Sequence, residues 1–415
     1  MVFTSERCYK IHRIMFMAMG FWPYQKPFIC RLQALFFCST CCFNILFQLT
    51  PFLTTTCNMD CILKRFSYIC LSSVYVLCYC SFYFNSEVIK QSLKHVQLDW
   101  KMFENSDTIK IFEEYLFLAY IFEIFACILI PTMISAYMAL ECKSLILDAI
   151  IPMNVSRPRK TEADYELFLD EQEYFFLYIM QEGLGIMIGF YAILVPAAFC
   201  FTLTRHSCAA YKIASCLIQN TAIVRTLQIP VTQQIQFMHR SISFSVYLHR
   251  RTLKLMKNFL HAVDLWYFPL LLICVLCLSC VLLRLYNNIL QAGNLYDLFV
   301  CCLLLSTCFT YMFITNCLSQ IYTEHSTLIL KSISIICICI YALCCIYLSE
   351  IHISRYDTLW YVAPVPIQKL FLFMQISIKA HIIMMGGLFA LSMEGFSTLL
   401  TTAVSYFTVL HTMHS

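Results

Sequence analysis

Leu265-Trp-Tyr-Phe-Pro-Leu-Leu-Leu-Ile-Cys-Val-Leu-Cys-Leu-Ser-Cys-Val-Leu-Leu-Arg-Leu-Tyr286 carries a single charge, Arg284. A run of that length and polarity crosses the hydrocarbon core of a bilayer as a helix. Five similar runs surround it, at 32–53, 66–84, 115–140, 175–204 and 298–318. A shorter run, 333–348, follows, and then an apolar C-terminal region, 367–413. Lys379, His381 and the pair Gly386-Gly387 divide that region into segments 365–379 and 393–413. With 60% hydrophobic and 13% charged residues, the chain lacks the charge to cover a water-facing surface. A soluble enzyme, a disordered chain and a coiled coil are thereby excluded. Only 8 glycines and 11 prolines favour long helices over a barrel of short strands. The net charge of +4 is small and spread out, which speaks against a nucleic-acid partner.

Basic residues orient such a chain, because Lys and Arg are retained in the cytoplasm. With six early spans and one final span, 21 of the 28 Lys and Arg fall on the side of the N-terminus. The expected fold is an all-α membrane protein with seven transmembrane helices, N-terminus cytoplasmic and C-terminus extracellular. Five basic residues before position 32 and the length of the first apolar run speak against a cleavable signal peptide. The sequon Asn154-Val155-Ser156 lies on a loop this orientation places outside, so Asn154 is a candidate glycosylation site. The same loop, 141–173, holds eight acids, among them Glu141 and Asp148, which suits an entrance for cations or simply a solvated loop.

Most of the 26 cysteines lie inside apolar runs, for example Cys274, Cys277 and Cys280, and read as small buried hydrophobes. No metal site or cofactor is expected. Cys57, Cys61 and Cys142 fall on expected outer loops, where a disulfide can persist; whether Cys142 bridges to one of the first two is left open by the sequence. Glu123 and Glu182 lie inside spans; a ligand contact and a hydrogen bond between helices are equal readings for each. No nucleophile–base set, phosphate loop or zinc helix is present, so enzymatic chemistry is not expected.

The last 23 residues, 393–415, form a helix with hydroxyls at Thr401, Thr402, Ser405 and Thr408. Tyr406, Val409 and Met413 recur at i, i+3 and i+7 and share one face. A mildly polar helix with bulky apolar residues on one stripe suits a pore closed by a hydrophobic gate. The same spacing suits ordinary helix packing.

Residues along nearly the whole chain resemble the insect odorant receptor family. The resemblance rests on Phe396 and Ser405-Tyr-Phe-Thr-Val-Leu410, and on Tyr356-Asp-Thr-Leu-Trp-Tyr-Val-Ala-Pro364 with Gln368-Lys369. It also rests on His206-Ser-Cys208, on Asp99-Trp100 and on Gly20-Phe-Trp-Pro23. It implies a ligand-gated, nonselective cation channel, a heterotetramer of tuning subunits and a shared coreceptor in the plasma membrane of olfactory sensory neurons. No excess length between spans four and five marks this chain as the coreceptor, so it reads as a tuning subunit. The resemblance places Thr402, Tyr406, Val409 and Met413 along the pore, with Val409 as the gate, and splits the last helix into a cytoplasmic and a pore-lining part.

The implied domains are a cytoplasmic N-terminus, 1–31, and a six-helix bundle, 32–318, whose segment 205–262 extends into a cytoplasmic anchor. An anchor helix with its linker, 356–392, and the pore helix, 393–415, complete them. The ligand, a small volatile, would sit in the outer half of the bundle. Depth and spacing nominate Tyr68, Ser72 and Tyr75 in span two and Ile130, Met133, Ile134 and Tyr137 in span three. Span four adds Tyr178, Gln181 and Glu182, and span six adds Phe299, Leu303 and Ser306. For any one of these residues, ordinary packing is the competing reading.

Residues 334–355 depart from the family pattern. This apolar insert separates Ser332-Ile333 from Tyr356, and it is short for a span; crossing would invert the pore helix. It reads as an unremoved in-frame intron, or else as an insertion packed near the cytoplasmic helices. A G-protein-coupled receptor is the main alternative function, but its acidic-Arg-Tyr triplet and Asn-Pro-x-x-Tyr motif are missing. A gustatory-type channel of the same superfamily is the other.

Overall fold

The computed structural model describes residues 5–54, 59–104, 106–151, 157, 170, 172–224, 231–290, 295–328 and 382–414. The helices follow in the order α1 (Ser5–Met19), α2 (Pro27–Leu49), α3 (Pro51–Thr54), α4 (Met59–Phe84), α5 (Ser86–Phe103) and α6 (Ile109–Glu141). Then come α7 (Lys143–Ile150), α8 (Phe175–Val224), α9 (Val231–Leu290), α10 (Leu295–Ser326) and α11 (Met393–His414). A hairpin of β1 (Met384–Met385) and β2 (Phe389–Ala390) precedes α11. Among the described residues, α2, α4, α6, α8, α9 and α10 are long and apolar enough to cross a membrane, so the chain is a multi-pass, all-α membrane protein. Asn154, the insert 334–355 and the expected anchor helix from 356 lie outside the described residues.

The apolar runs mark the middles of these helices and miss their ends. α8 has 50 residues and α9 has 60, which at 1.5 Å per residue gives about 75 and 90 Å, far beyond a hydrocarbon core of about 30 Å. The surplus is used at one end. There Phe103, Phe112, Ile213, Ala214, Ile242 and Leu248, from α5, α6, α8 and α9, form a second core apart from the main one. The main core draws on α1, α2, α4, α8, α9, α10 and α11, with Cys70, Cys78, Cys274, Cys277, Cys301 and Cys308 as small buried side chains.

Three assignments change. Glu141, counted with a loop, belongs to α6 and is buried, as is Arg284 within α9. Cys142 is a free thiol, which decides the open question of a bridge from it, whereas Cys61 is disulfide-bonded. The N-terminal segment, read only as a cytoplasmic stretch, contains α1, whose His12, Met15 and Phe16 turn inward. Gly20, at φ +76°, reverses the chain behind it, and Phe21 packs against Tyr79 at 4.8 Å.

Hydrogen bonds hold α11 to the bundle. Gly386 (φ +59°) and Gly387 (φ +67°) turn the hairpin, and the Gly386 N–H donates to Asp264 Oδ1 of α9 at 2.7 Å. Ser392 caps α11 by accepting from the Gly395 N–H at 3.0 Å, and its own N–H donates to Asn316 Oδ1 of α10 at 3.1 Å. Further along, Ser279 of α9 donates to the Ala403 carbonyl at 3.0 Å.

Candidate ligand site and pore face

Five helices, α4, α6, α8, α9 and α10, bring tyrosines and charges together where α6 ends and α8 begins. Tyr137 Oη donates to Glu182 Oε1 at 2.5 Å, joining α6 to α8. Tyr296 of α10 donates to Glu141 of α6, and its ring lies 6.2 Å from that of Tyr137. The Arg284 guanidinium stands 5.8 Å over the Tyr68 ring and 3.8 Å from Asp297, which also faces Lys64 at 3.9 Å. Tyr178, Tyr137 and Glu182 are buried. Gln181 donates to Asn44 of α2 at 3.4 Å. The arrangement sets aromatic rings beside fixed carboxylate acceptors and one guanidinium.

Of the residues nominated from depth and spacing, Tyr68, Tyr137 and Glu182 belong to this cluster, and Tyr178 is buried one turn before Glu182 on α8. Tyr75 is buried deeper, its ring 2.2 Å from where a Cβ on Gly189 would stand, so the glycine makes room for it. Ser72, Ile130, Met133, Ile134, Phe299 and Leu303 are half-buried. Ser306 is exposed and returns its hydroxyl to the Leu303 carbonyl at 2.8 Å. Arg284, Glu141, Tyr296 and Asp297 escaped sequence reading, although a lone arginine inside an apolar run is a signal of its own. Glu123 takes no part in this cluster: it accepts from Thr202 of α8 at 2.8 Å and meets His12 of α1 at 3.1 Å.

α11 divides cleanly by face. Phe396, Leu399 and Ala403 are buried, with Phe396 between the rings of Phe309 and Phe313 at 5.3 and 5.5 Å. The opposite face forms a shallow groove lined by Ser397, Thr398, Thr401, Thr402, Ser405, Tyr406 and Val409. Tyr406, Val409 and Met413 are 49%, 53% and 77% exposed, and Thr402 is half-buried. The hydroxyls satisfy themselves on the helix, Thr402 on the Thr398 carbonyl at 2.7 Å and Ser405 on the Thr401 carbonyl at 2.9 Å.

At the far end of the bundle, Asp99 of α5 is fully buried and meets His206 of α8 at 3.1 Å. His95 approaches the same oxygen at 3.1 Å, and Arg251 of α9 faces the other at 2.9 Å. Arg251 also donates to His95 Nε2 at 3.0 Å, which leaves the His95 Nδ1–H for the carboxylate. Burial opposes the Asp99 charge, but the hydrogen bonds from His206 and His95 outweigh it and hold the carboxyl well below its ordinary range. Two marks distant in sequence, Asp99-Trp100 and His206, are therefore one contact, with Phe112 stacked on His206 at 4.8 Å.

No protein-family model matches the sequence, and no curated protein does. Solved structures do. The insect olfactory receptor OR5 from Machilis hrabei in complex with eugenol superposes with a TM-score of 0.69 at 12% identity, covering 98% of each chain. The same receptor in a second structure superposes with a TM-score of 0.62 at 13% identity, over 98% of this chain and 97% of that one. From the helix ahead of the first span to the helix that closes the chain, this protein has the fold of an insect olfactory receptor.

Proposed function

We propose that this chain is the tuning subunit of an odorant receptor, a ligand-gated nonselective cation channel that works with a shared coreceptor in a heterotetramer. The observation that carries the proposal is a likeness in fold to an insect olfactory receptor along 98% of the chain. The orientation is N-terminus inside and C-terminus outside, which the distribution of Lys and Arg supports. The membrane is the plasma membrane of an olfactory sensory neuron.

In this reading the tyrosine and carboxylate cluster takes a small volatile. The match to a receptor whose structure was solved with eugenol supports that ligand class. A ligand hydroxyl competes with Tyr137 for Glu182 and so loosens α6 from α8. Such a ligand opens the channel only by binding the open arrangement more tightly. Strain reaches the pore helix through Asn316 and Asp264, which hold the start of α11. The exposed face of α11 lines the pore: Tyr406, Val409, Met413 and Thr402 face cations, and Val409 is the gate. The second core, with 205–262, belongs to the cytoplasmic anchor that packs subunits together.

Expression with the coreceptor tests the proposal, with and without residues 334–355, against a wide volatile panel that includes eugenol. The expected result is an odorant-evoked cation current. Surface delivery without current to any volatile would sink it.

A further inference from the structure

We propose that the edge of the bundle formed by α1 and the start of α2 is a binding site for an anionic phospholipid. Residues 1–31 carry five basic side chains and one acid, Glu6, and thus a net charge equal to the +4 of the entire chain. Lys10 and Arg13 stand one turn apart on α1, Lys26 caps α2 and Arg31 lies in its second turn; all four are exposed. None of the four forms an ion pair with a described acid.

The patch is built, not loose. Gln33 of α2 donates to the carbonyls of Met17 and Ala18 at 2.9 and 3.1 Å, and Gln25 donates to Gln33 at 3.2 Å. These bonds fix α1 beside α2. The Arg13 guanidinium lies 5.7 Å over the Trp22 ring, and indoles gather at membrane interfaces. Arg31 sits on the same stripe as Phe28, Leu32 and Leu35, which are 77%, 57% and 67% exposed. An arginine flanked by an apolar belt at the first turns of a span needs a counter-ion held at that depth, and a lipid phosphate is one. Acyl chains then cover Phe28, Leu32 and Leu35 while the headgroup meets Arg31, and the exposed cations of α1 add to the attraction at that level. Four clustered cations select a net negative headgroup over a zwitterionic one. The last turn of α2 has no basic residue, so the preference belongs to one leaflet.

Native mass spectrometry of the purified full-length chain, mixed with equal phosphatidylserine and phosphatidylcholine, tests this. Wild-type protein should retain phosphatidylserine preferentially. Arg13→Gln with Arg31→Gln should cut that preference about tenfold or more, at roughly fivefold per cation. Lys10→Gln with Lys26→Gln, at exposed positions where folding is not at stake, should cut it in the same direction. Lys94→Gln with Lys101→Gln, exposed on α5, should leave it unchanged. Equal retention of the two lipids by wild type, an unchanged preference in both double variants, or an equal loss in the α5 control would overturn the proposal.

Discussion

His12 reaches Glu123 at 3.1 Å between the rings of Phe16 and Phe199, and both ionisable groups are buried. Burial pushes the His12 pKa down from 6.5 to about 4, so the imidazole is neutral near pH 7. A lowered pKa means that the unfolded chain binds a proton the native one refuses. The His12 contribution to stability is therefore present above pH 6.5 and falls as pH drops from 6.5 towards 4. Melting temperature followed over that window should drop more steeply for wild type than for His12→Gln; parallel curves would remove His12 as the cause. At the candidate ligand cluster, Tyr137→Phe removes the donor to Glu182. If that bond is the latch a ligand displaces, the half-maximal odorant concentration should move by about tenfold, the order of one charge-assisted hydrogen bond. A dose–response series with unchanged surface expression measures it.

Among the elements, α8 makes close contacts at its glycines. A Cβ on Gly189 would stand 2.2 Å from the Tyr75 ring, so Gly189→Ala should cost about 1–3 kcal/mol as overpacking. Pairing it with Tyr75→Leu should restore part of the loss in a thermal melt. Asp99 joins α5, α8 and α9 through His206, His95 and Arg251. Asp99→Asn should cost about 3 kcal/mol, because Arg251 is left beside a neutral partner. With its pKa depressed, the Asp99 contribution is present in full above the ordinary carboxylate range and is lost as pH falls through its lowered value. α11 offers a contrast between faces. Leu399→Ala, on the buried side, should lower the melting temperature through a cavity worth about 2 kcal/mol or more. Val409→Ala, on the exposed side, should leave melting unchanged and alter conductance or ion selectivity. Unchanged permeation would take Val409 out of the pore.

Across the whole molecule, a subunit with an exposed, hydroxyl-rich helix face needs other copies or water against it, which is why the current assay uses assembled receptors. The six long helices were legible because a bilayer demands apolar runs of a set length, whatever they pack against. Glu123 and Glu182 stood out on the same ground, as charges where charge is costly. Their partners did not. Tyr137 lies 45 positions from Glu182, and Thr202 lies 79 from Glu123, and no local pattern joins residues so far apart. Glu141 was read with a loop because apolar runs locate helix middles, whereas a helix end follows its hydrogen bonds and its packing. The ends of α8 and α9 continue because a second core, assembled from four helices, buries them. The sequence by itself determined the membrane class, the helices that span and the marked residues, since burial in lipid is a local demand on composition. Which charge meets which tyrosine, which face of α11 stays open and how α1 inserts His12 were decided only by the tertiary structure, because those depend on how helices distant in sequence pack side by side.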